Sequence, residues 1–341
     1  MIIYLVYKVV LISIILALSL LIAMYATLVE RKFAGFMQDR HGPNRAGPFG
    51  ILQPVADGVK LFFKEEYMPN TADKFLYILG PCLTMLVALL TSAVVPWGAD
   101  LTFGNNTYSL QVARSSIDIL YIFAVVSMGV YGIMIGGWAS NNKYALLGAV
   151  RASSQMISYE LAMGLSMASV IMMAGTLSLH DIVVLQQQHM WYIVYQPLAF
   201  LIFFICALAE TNRAPFDLPE CEAELIGGYH TEYSSMKLGF YLFAEYINMF
   251  VSSAIISTLF FGGYDLPFAS HLHIASNWIT IFGTLFLFVK IFFFMMLFIW
   301  VRWTIPRFRY DQLMKLGWTI LLPLALINLI VTAIIKLSLA N

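Results

Sequence analysis

The feature that most constrains this chain is a series of eight long apolar stretches, near residues 2–28, 75–97, 116–140, 155–179, 194–210, 238–262, 277–301 and 316–338. Each runs for about 17 residues or more, close to the roughly 20 that a helix needs to cross a hydrocarbon layer about 30 Å thick. A backbone in lipid must satisfy its own hydrogen bonds, so stretches of this length read as spanning helices. A soluble core is excluded by composition, because 60% of the 341 residues are hydrophobic and only 11% charged, with a mean hydropathy of +0.80. Too little polar surface remains to cover a globule. The expected fold is an all-α integral membrane protein of about eight transmembrane helices, with an interfacial amphipathic helix and structured cytoplasmic loops. It forms one membrane domain, 1–341, containing a first loop at 29–74 and an acidic loop at 210–237. The first apolar stretch is too long for a signal-peptide core and lacks a basic front, so it is expected to be retained.

Basic residues set the expected orientation. Connections after the first, third, fifth and seventh stretches hold Arg31, Lys32, Arg40, Arg45, Lys60, Lys64, Lys74, Lys143, Arg151, Arg213, Lys237, Arg302, Arg307, Arg309 and Lys315, whereas the other side holds Lys8, Arg114 and Lys336. The positive-inside rule makes the first set cytoplasmic and puts both termini on the outer side. With a formal net charge of +0, nothing global points to nucleic acid. The cysteines, Cys82, Cys206 and Cys221, form no CxxC pair, and no ligand set for zinc or an iron-sulfur cluster is apparent. The six histidines show no ligand spacing.

Two cytoplasmic segments carry most of the polar chemistry. The first, ERKFAGFMQDRHGPNRAGPFGILQPVADGVKLFFKEE, begins with a turn-rich half containing Gly35, Gly42, Pro43, Gly47, Pro48 and Gly50. Its second half places Ile51, Val55, Val59 and Phe62 at helical spacing, which predicts an amphipathic helix lying in the membrane interface. The other segment, ETNRAPFDLPECEAELIGGYHTEYSS, sets Glu210, Asp217, Glu220, Glu222, Glu224 and Glu232 against Arg213 alone. Carboxylates held together away from water raise one another's proton affinity, which suits proton relay.

Acids within the apolar stretches extend this pattern. Counted from Arg151 and Leu238, Glu160 and Glu245 should sit roughly 10 to 14 Å inside the cytoplasmic edge, at one depth. A buried acid near a helix centre costs on the order of 2.5–3.5 kcal/mol on insertion scales, so such residues are usually paired, cavity-facing or functional. Lys290, about 16 Å from the cytoplasmic end of its helix, is a candidate charge partner. Asp118 is expected at the interface.

The blocks ERKFAGFMQDRHGPNRAGPFGILQPVADGVKLFFKEE, NNKYALLGAVRASSQMISYE, ETNRAPFDLPECEAELIGGYHTEYSS, FAEY and PRFRYDQLMKLGW closely resemble, in order, those of the H-subunit family of proton-translocating NADH-quinone oxidoreductase, respiratory complex I, called subunit 1 in mitochondria. The resemblance spans essentially the whole chain. It implies a subunit that joins the peripheral electron-transfer arm to the membrane arm and helps to form a chamber for quinone. It also implies an acidic path leading, through small membrane subunits, towards antiporter-like subunits. Glu160, Glu210 and Glu245 match the buried acidic path, and Glu220, Glu222 and Glu224 match the acidic loop. Arg31, Gln38, Arg40 and Arg45 belong to the first-loop block near the chamber. Arg213 and Asp217 either border that chamber or hold the loop in shape. NADH, FMN and iron-sulfur clusters are expected in partner subunits, with quinone as substrate and no cofactor held by this chain. The bacterial inner membrane is the expected location, with the mitochondrial inner membrane as the alternative.

Two other classes share some of these features. A related membrane subunit of an energy-converting hydrogenase or formate hydrogenlyase would carry the acidic motifs without using quinone, but the long first loop with GPNRAG and its amphipathic helix favours the quinone enzyme. A stand-alone secondary transporter should show internal repeats and a midplane site between broken helices.

Overall fold

The computed structural model describes residues 2–103, 106–217, 225–267 and 276–340. Its helices are α1 (Ile2–Met37), α2 (Gln53–Phe63), α3 (Lys74–Thr91), α4 (Asp118–Ala139), α5 (Lys143–Ala174), α6 (Leu179–Gln188), α7 (Tyr192–Tyr195), α8 (Pro197–Glu210), α9 (Ser235–Phe260), α10 (Ser276–Thr304), α11 (Tyr310–Lys315) and α12 (Leu322–Ala340). A π-helical stretch, Leu316–Leu321, joins α11 to α12. A short antiparallel hairpin, β1 (Leu101–Phe103) and β2 (Asn106–Tyr108), pairs Leu101 with Tyr108. The chain is an all-α integral membrane protein, in which seven helical segments among the described residues are long and apolar enough to span a bilayer.

The fifth apolar stretch, 194–210, is the one that falls short of these seven: it forms α8, which at 14 residues is only about 21 Å long. It is separated from α7 at Gln196, whose backbone is non-helical. Pro197 explains this break, because the proline ring disfavours helical geometry in the preceding residue. The Gln196 side chain donates to Thr332 Oγ1 at 2.8 Å and accepts from Asn328 at 3.0 Å, filling the gap with bonds to α12. Two other boundaries differ from the sequence expectation. Helix α1 continues through Glu30 and Arg31 to Met37, since no proline interrupts it before residue 43. Helix α5 begins at Lys143, twelve residues before the apolar run, because the Asn142 side chain accepts from Tyr144 N and caps it there.

Helix α9 is the most enclosed span, while α1 and the 310–338 segment are the most exposed. Around α9 pack α3, α1, α10 and α8, and α5 in turn contacts α4, α8 and α12. Close approach of α3 to α4 depends on small residues. A Cβ on Gly80 would lie 2.8 Å from Gly136 Cα and 2.7 Å from the Tyr241 hydroxyl.

Asp118 is the first residue of α4, at the helix end expected for it. It is fully buried and accepts from Gln111 Nε2, Ser115 N and Leu179 N, tying the start of α4 to the start of α6.

Candidate functional site: an acid and arginine cluster leading to an internal cavity

The site is built where the loop after α8 folds back onto the bundle. Gln155 of α5 donates its amide to the carbonyls of Ala209 at 2.7 Å and Phe216 at 2.8 Å, bracketing residues 209–216. Phe216 stacks on Phe308, and Arg307 forms a 2.8 Å ion pair with Asp217. Asp217 therefore anchors the loop to the segment after α10.

This fixed loop delivers Arg213 into the bundle. Its guanidinium donates to Glu30 at 2.7 Å, lies 3.7 Å from Glu245 and sits over the Tyr246 ring at 3.6 Å. Glu30 also accepts from Tyr246 at 2.9 Å and pairs with Arg302. Burial alone would lower the proton affinity of Arg213, but Tyr246, Glu30 and Glu245 outweigh it and hold the guanidinium charged more firmly than usual. Two carboxylates face two guanidinium groups, so the cluster compensates its own charge.

Glu245 stands at the inner edge of this cluster. Tyr229 donates to one of its oxygens at 3.1 Å, and Glu245 and Tyr229 also line an internal cavity of about 50 Å³ together with Glu210. Since one water needs roughly 10–15 Å³ on this measure, the space accommodates a few waters. Asn248 and Ser252 follow Glu245 along the cavity-facing side of α9, opposite Thr84 and Thr91 of α3. Both threonines donate to carbonyls of their own helix, leaving their oxygens as acceptors towards the space. Glu160 is an electrostatic neighbour of Glu210 and accepts from Ser127 of α4.

The structure thus gathers Arg213, Glu245, Glu210 and Glu160 into one region, but it separates other expected members. Lys290 is not the charge partner of Glu160 or Glu245. Its ammonium donates to the carbonyls of Phe261, Gly263 and Asp265 at 2.7, 2.7 and 3.1 Å, beneath the Trp191 and Phe286 rings. This is the opposite end of α9 from Glu245, fifteen residues or about 22 Å away, where a cation complements a helix C-terminus. Arg31 pairs with Asp57 at 2.6 Å, fastening α2 to α1, and Gln38 accepts from Arg40 at 2.7 Å. Gln38, Arg40 and Arg45 are exposed, whereas Glu30 and Glu245 are buried. Glu220, Glu222 and Glu224 lie outside the described residues.

Glu30 is the member that sequence reasoning missed, although it opens the first-loop block. Its partners Arg213 and Arg302 lie 183 and 272 positions away. The available signal was an acid placed directly after a spanning stretch and followed at once by Arg31 and Lys32.

Fold and site together define a multi-pass helical membrane protein with charged side chains enclosed at one end of its bundle. Comparisons with known proteins narrow this class. A family model described as NADH dehydrogenase matches residues 9–333. The chain is 62% identical over 329 residues to the NADH-quinone oxidoreductase H 1 protein of Cytophaga hutchinsonii, covering 96% of each protein. It is 61% identical over 333 residues to the H-subunit of the same enzyme from Flavobacterium psychrophilum, covering 97% of each. Identity to the second of two H-subunits from Geobacter metallireducens is 49% over 327 residues, 93% of this chain and 91% of that relative. The chain belongs to the H-subunit family of NADH-quinone oxidoreductase, the membrane proteins of complex I.

Proposed function

We propose that this protein forms part of the quinone chamber with the peripheral arm and couples quinone reduction to proton translocation through its enclosed acids. The observation that carries this reading is the double position of Glu245, which touches Arg213 on one side and the cavity shared with Glu210 on the other. Asn248 and Ser252 add support. Neither is hydrogen-bonded by another described side chain, and an amide facing a membrane interior needs partners. Water in the cavity supplies them and joins Glu245 to the rest of the lining.

Electrons reach quinone from an iron-sulfur cluster in a neighbouring peripheral subunit, and NADH and FMN are likewise bound by partners. Reduction to quinol consumes two protons, which changes the charge near the loop-end cluster. Arg213 is shared by Glu30 and Glu245, so neutralising either acid shifts the guanidinium towards the other. Protonation at the chamber is thereby felt by the carboxylate that lines the cavity. Exposed Gln38, Arg40 and Arg45 suit contact with the peripheral arm or quinone headgroup. The apolar side of α2, including Val55, Val59 and Phe62, is also exposed and suits the membrane interface or a neighbouring subunit. The acidic loop holding Glu220, Glu222 and Glu224 contributes to the same path. Lys290 takes part as a fixed positive charge at the far end of α9. The loops rich in arginine and lysine face the cytoplasm, both termini lie outside, and the bacterial inner membrane is the location.

Glu245→Gln tests the reading in the assembled enzyme. The variant should retain assembly and quinone-linked NADH oxidation while moving fewer protons per electron across proteoliposomes. A normal proton-to-electron ratio in that variant would remove Glu245 from the path.

A further inference from the structure

Ser127 lies in the middle of α4, in a helix whose ionisable side chains are Asp118, Tyr121 and Tyr131. Its hydroxyl is within bonding reach of two acceptors, the Glu160 carboxylate of α5 and the Phe123 carbonyl one turn earlier, at 2.9 Å. A serine has one hydrogen to donate, so it satisfies one acceptor at a time. The two states of Glu160 ask for different arrangements. An ionised carboxylate only accepts, whereas a protonated one also carries an O–H that needs an acceptor of its own.

We propose that Ser127 is the positioning residue that lets Glu160 hold and release a proton in the membrane, by turning its hydroxyl between the carboxylate and the Phe123 carbonyl. When Glu160 is ionised, Ser127 donates to it. When a proton arrives, the acid donates to Ser127 Oγ and the serine hydrogen turns to Phe123. One proton is gained or lost at Glu160, and none at the serine. In neither state is either of these half-buried side chains left without a partner.

The neighbours place this pair beside the acidic path. Val126 and Gly129, on either side of Ser127, line the cavity that Glu210 and Glu245 share. Glu210 and Cys206 come from α8, and Glu210 is the acid that faces Glu160 electrostatically. On α5 itself the nearest ionisable residue is Tyr159, whose hydroxyl is committed to the Leu313 carbonyl. The lysine of α12, Lys336, is at the far end of that helix, bonded to Met172 and Met173. No cation among these groups replaces the serine as donor to an ionised Glu160.

The inference rests on the proposed acidic path, and its test separates the two. Ser127→Ala, Ser127→Thr and Glu160→Gln are assayed in the assembled enzyme for quinone-linked electron transfer and for protons moved per electron between pH 6 and 9. Ser127→Ala should keep electron transfer but lose pumping at the acid end. Without the donor, the ionised form of Glu160 loses the hydrogen bond that Ser127 gives it, which hinders release of its proton. The whole pumping profile should move up by about one pH unit. Ser127→Thr, which keeps the hydroxyl, should restore the original profile. Infrared spectroscopy supplies a direct readout, because the carboxylic-acid band abolished by Glu160→Gln should persist to higher pH in Ser127→Ala. An unshifted profile and band in Ser127→Ala, with Glu160→Gln impaired, overturns the role of Ser127 alone. Equal loss at every pH in both serine variants also overturns it, as a packing defect. Normal pumping in Glu160→Gln overturns the path through Glu160 and the inference with it.

Discussion

Glu30 shows how much depends on single side chains here. It is buried, accepts from Arg213, Arg302 and Tyr246, and holds together α1, the loop after α8, α9 and α10. Removing one partner of a buried ion pair costs about 3–5 kcal/mol because the remaining charge is left uncompensated. Glu30→Gln should therefore lower the thermal stability of the detergent-solubilised complex and weaken retention of this chain within it, measured by melting and by native electrophoresis. His180 gives a second residue-scale expectation. Burial, with Arg114 nearby, lowers its proton affinity in the folded chain, and Tyr264 lies 3.4 Å from its ring nitrogen. The unfolded state then binds more protons, so the contribution of neutral His180 is present above about pH 6.5 and is lost on acidification below it. The protection of α6 amides against hydrogen exchange, relative to the intrinsic exchange rate at each pH, should fall between pH 7 and 5, and the fall should be smaller in His180→Gln.

At the scale of elements, the glycine contact between α3 and α4 separates tight packing from open space. A methyl group at Gly80 meets Gly136, the Gly132 carbonyl and the Tyr241 hydroxyl within 3.0 Å, whereas one at Gly164 meets only the Phe123 ring at 3.6 Å. Gly80→Ala should cost about 1–3 kcal/mol through overpacking, while Gly164→Ala should leave the melting temperature of the complex nearly unchanged. The elements themselves were largely legible, since each apolar stretch became helical and α2 formed where Val55, Val59 and Phe62 repeat. What apolar counting missed was set by local backbone chemistry. Pro197 split the fifth stretch, and Asn142 started α5 a full three turns early. The site was legible only in part, for a related reason. Glu160, Glu210 and Glu245 stand out as acids in apolar surroundings, but Glu30 and the carbonyl cage of Lys290 depend on contacts between distant segments.

On the scale of the whole molecule, charge is enclosed at one end of α9 and again at the other. Arg213 and Glu30 meet Glu245 near its start, and Lys290 caps its finish through the carbonyls of residues 261–265. Between them lies a cavity with polar lining and room for a few waters. Such an arrangement suits transmission of a charge change along the bundle. The claim underneath is that Glu245 and Glu210 share one hydrated passage. A structure of the assembled enzyme at a resolution that shows ordered waters tests it most directly. Waters bonded to Asn248 and Ser252 and linking Glu245 to Glu210 are the predicted result. A cavity that is empty or filled by an apolar chain, with the two carboxylates paired separately, would contradict it.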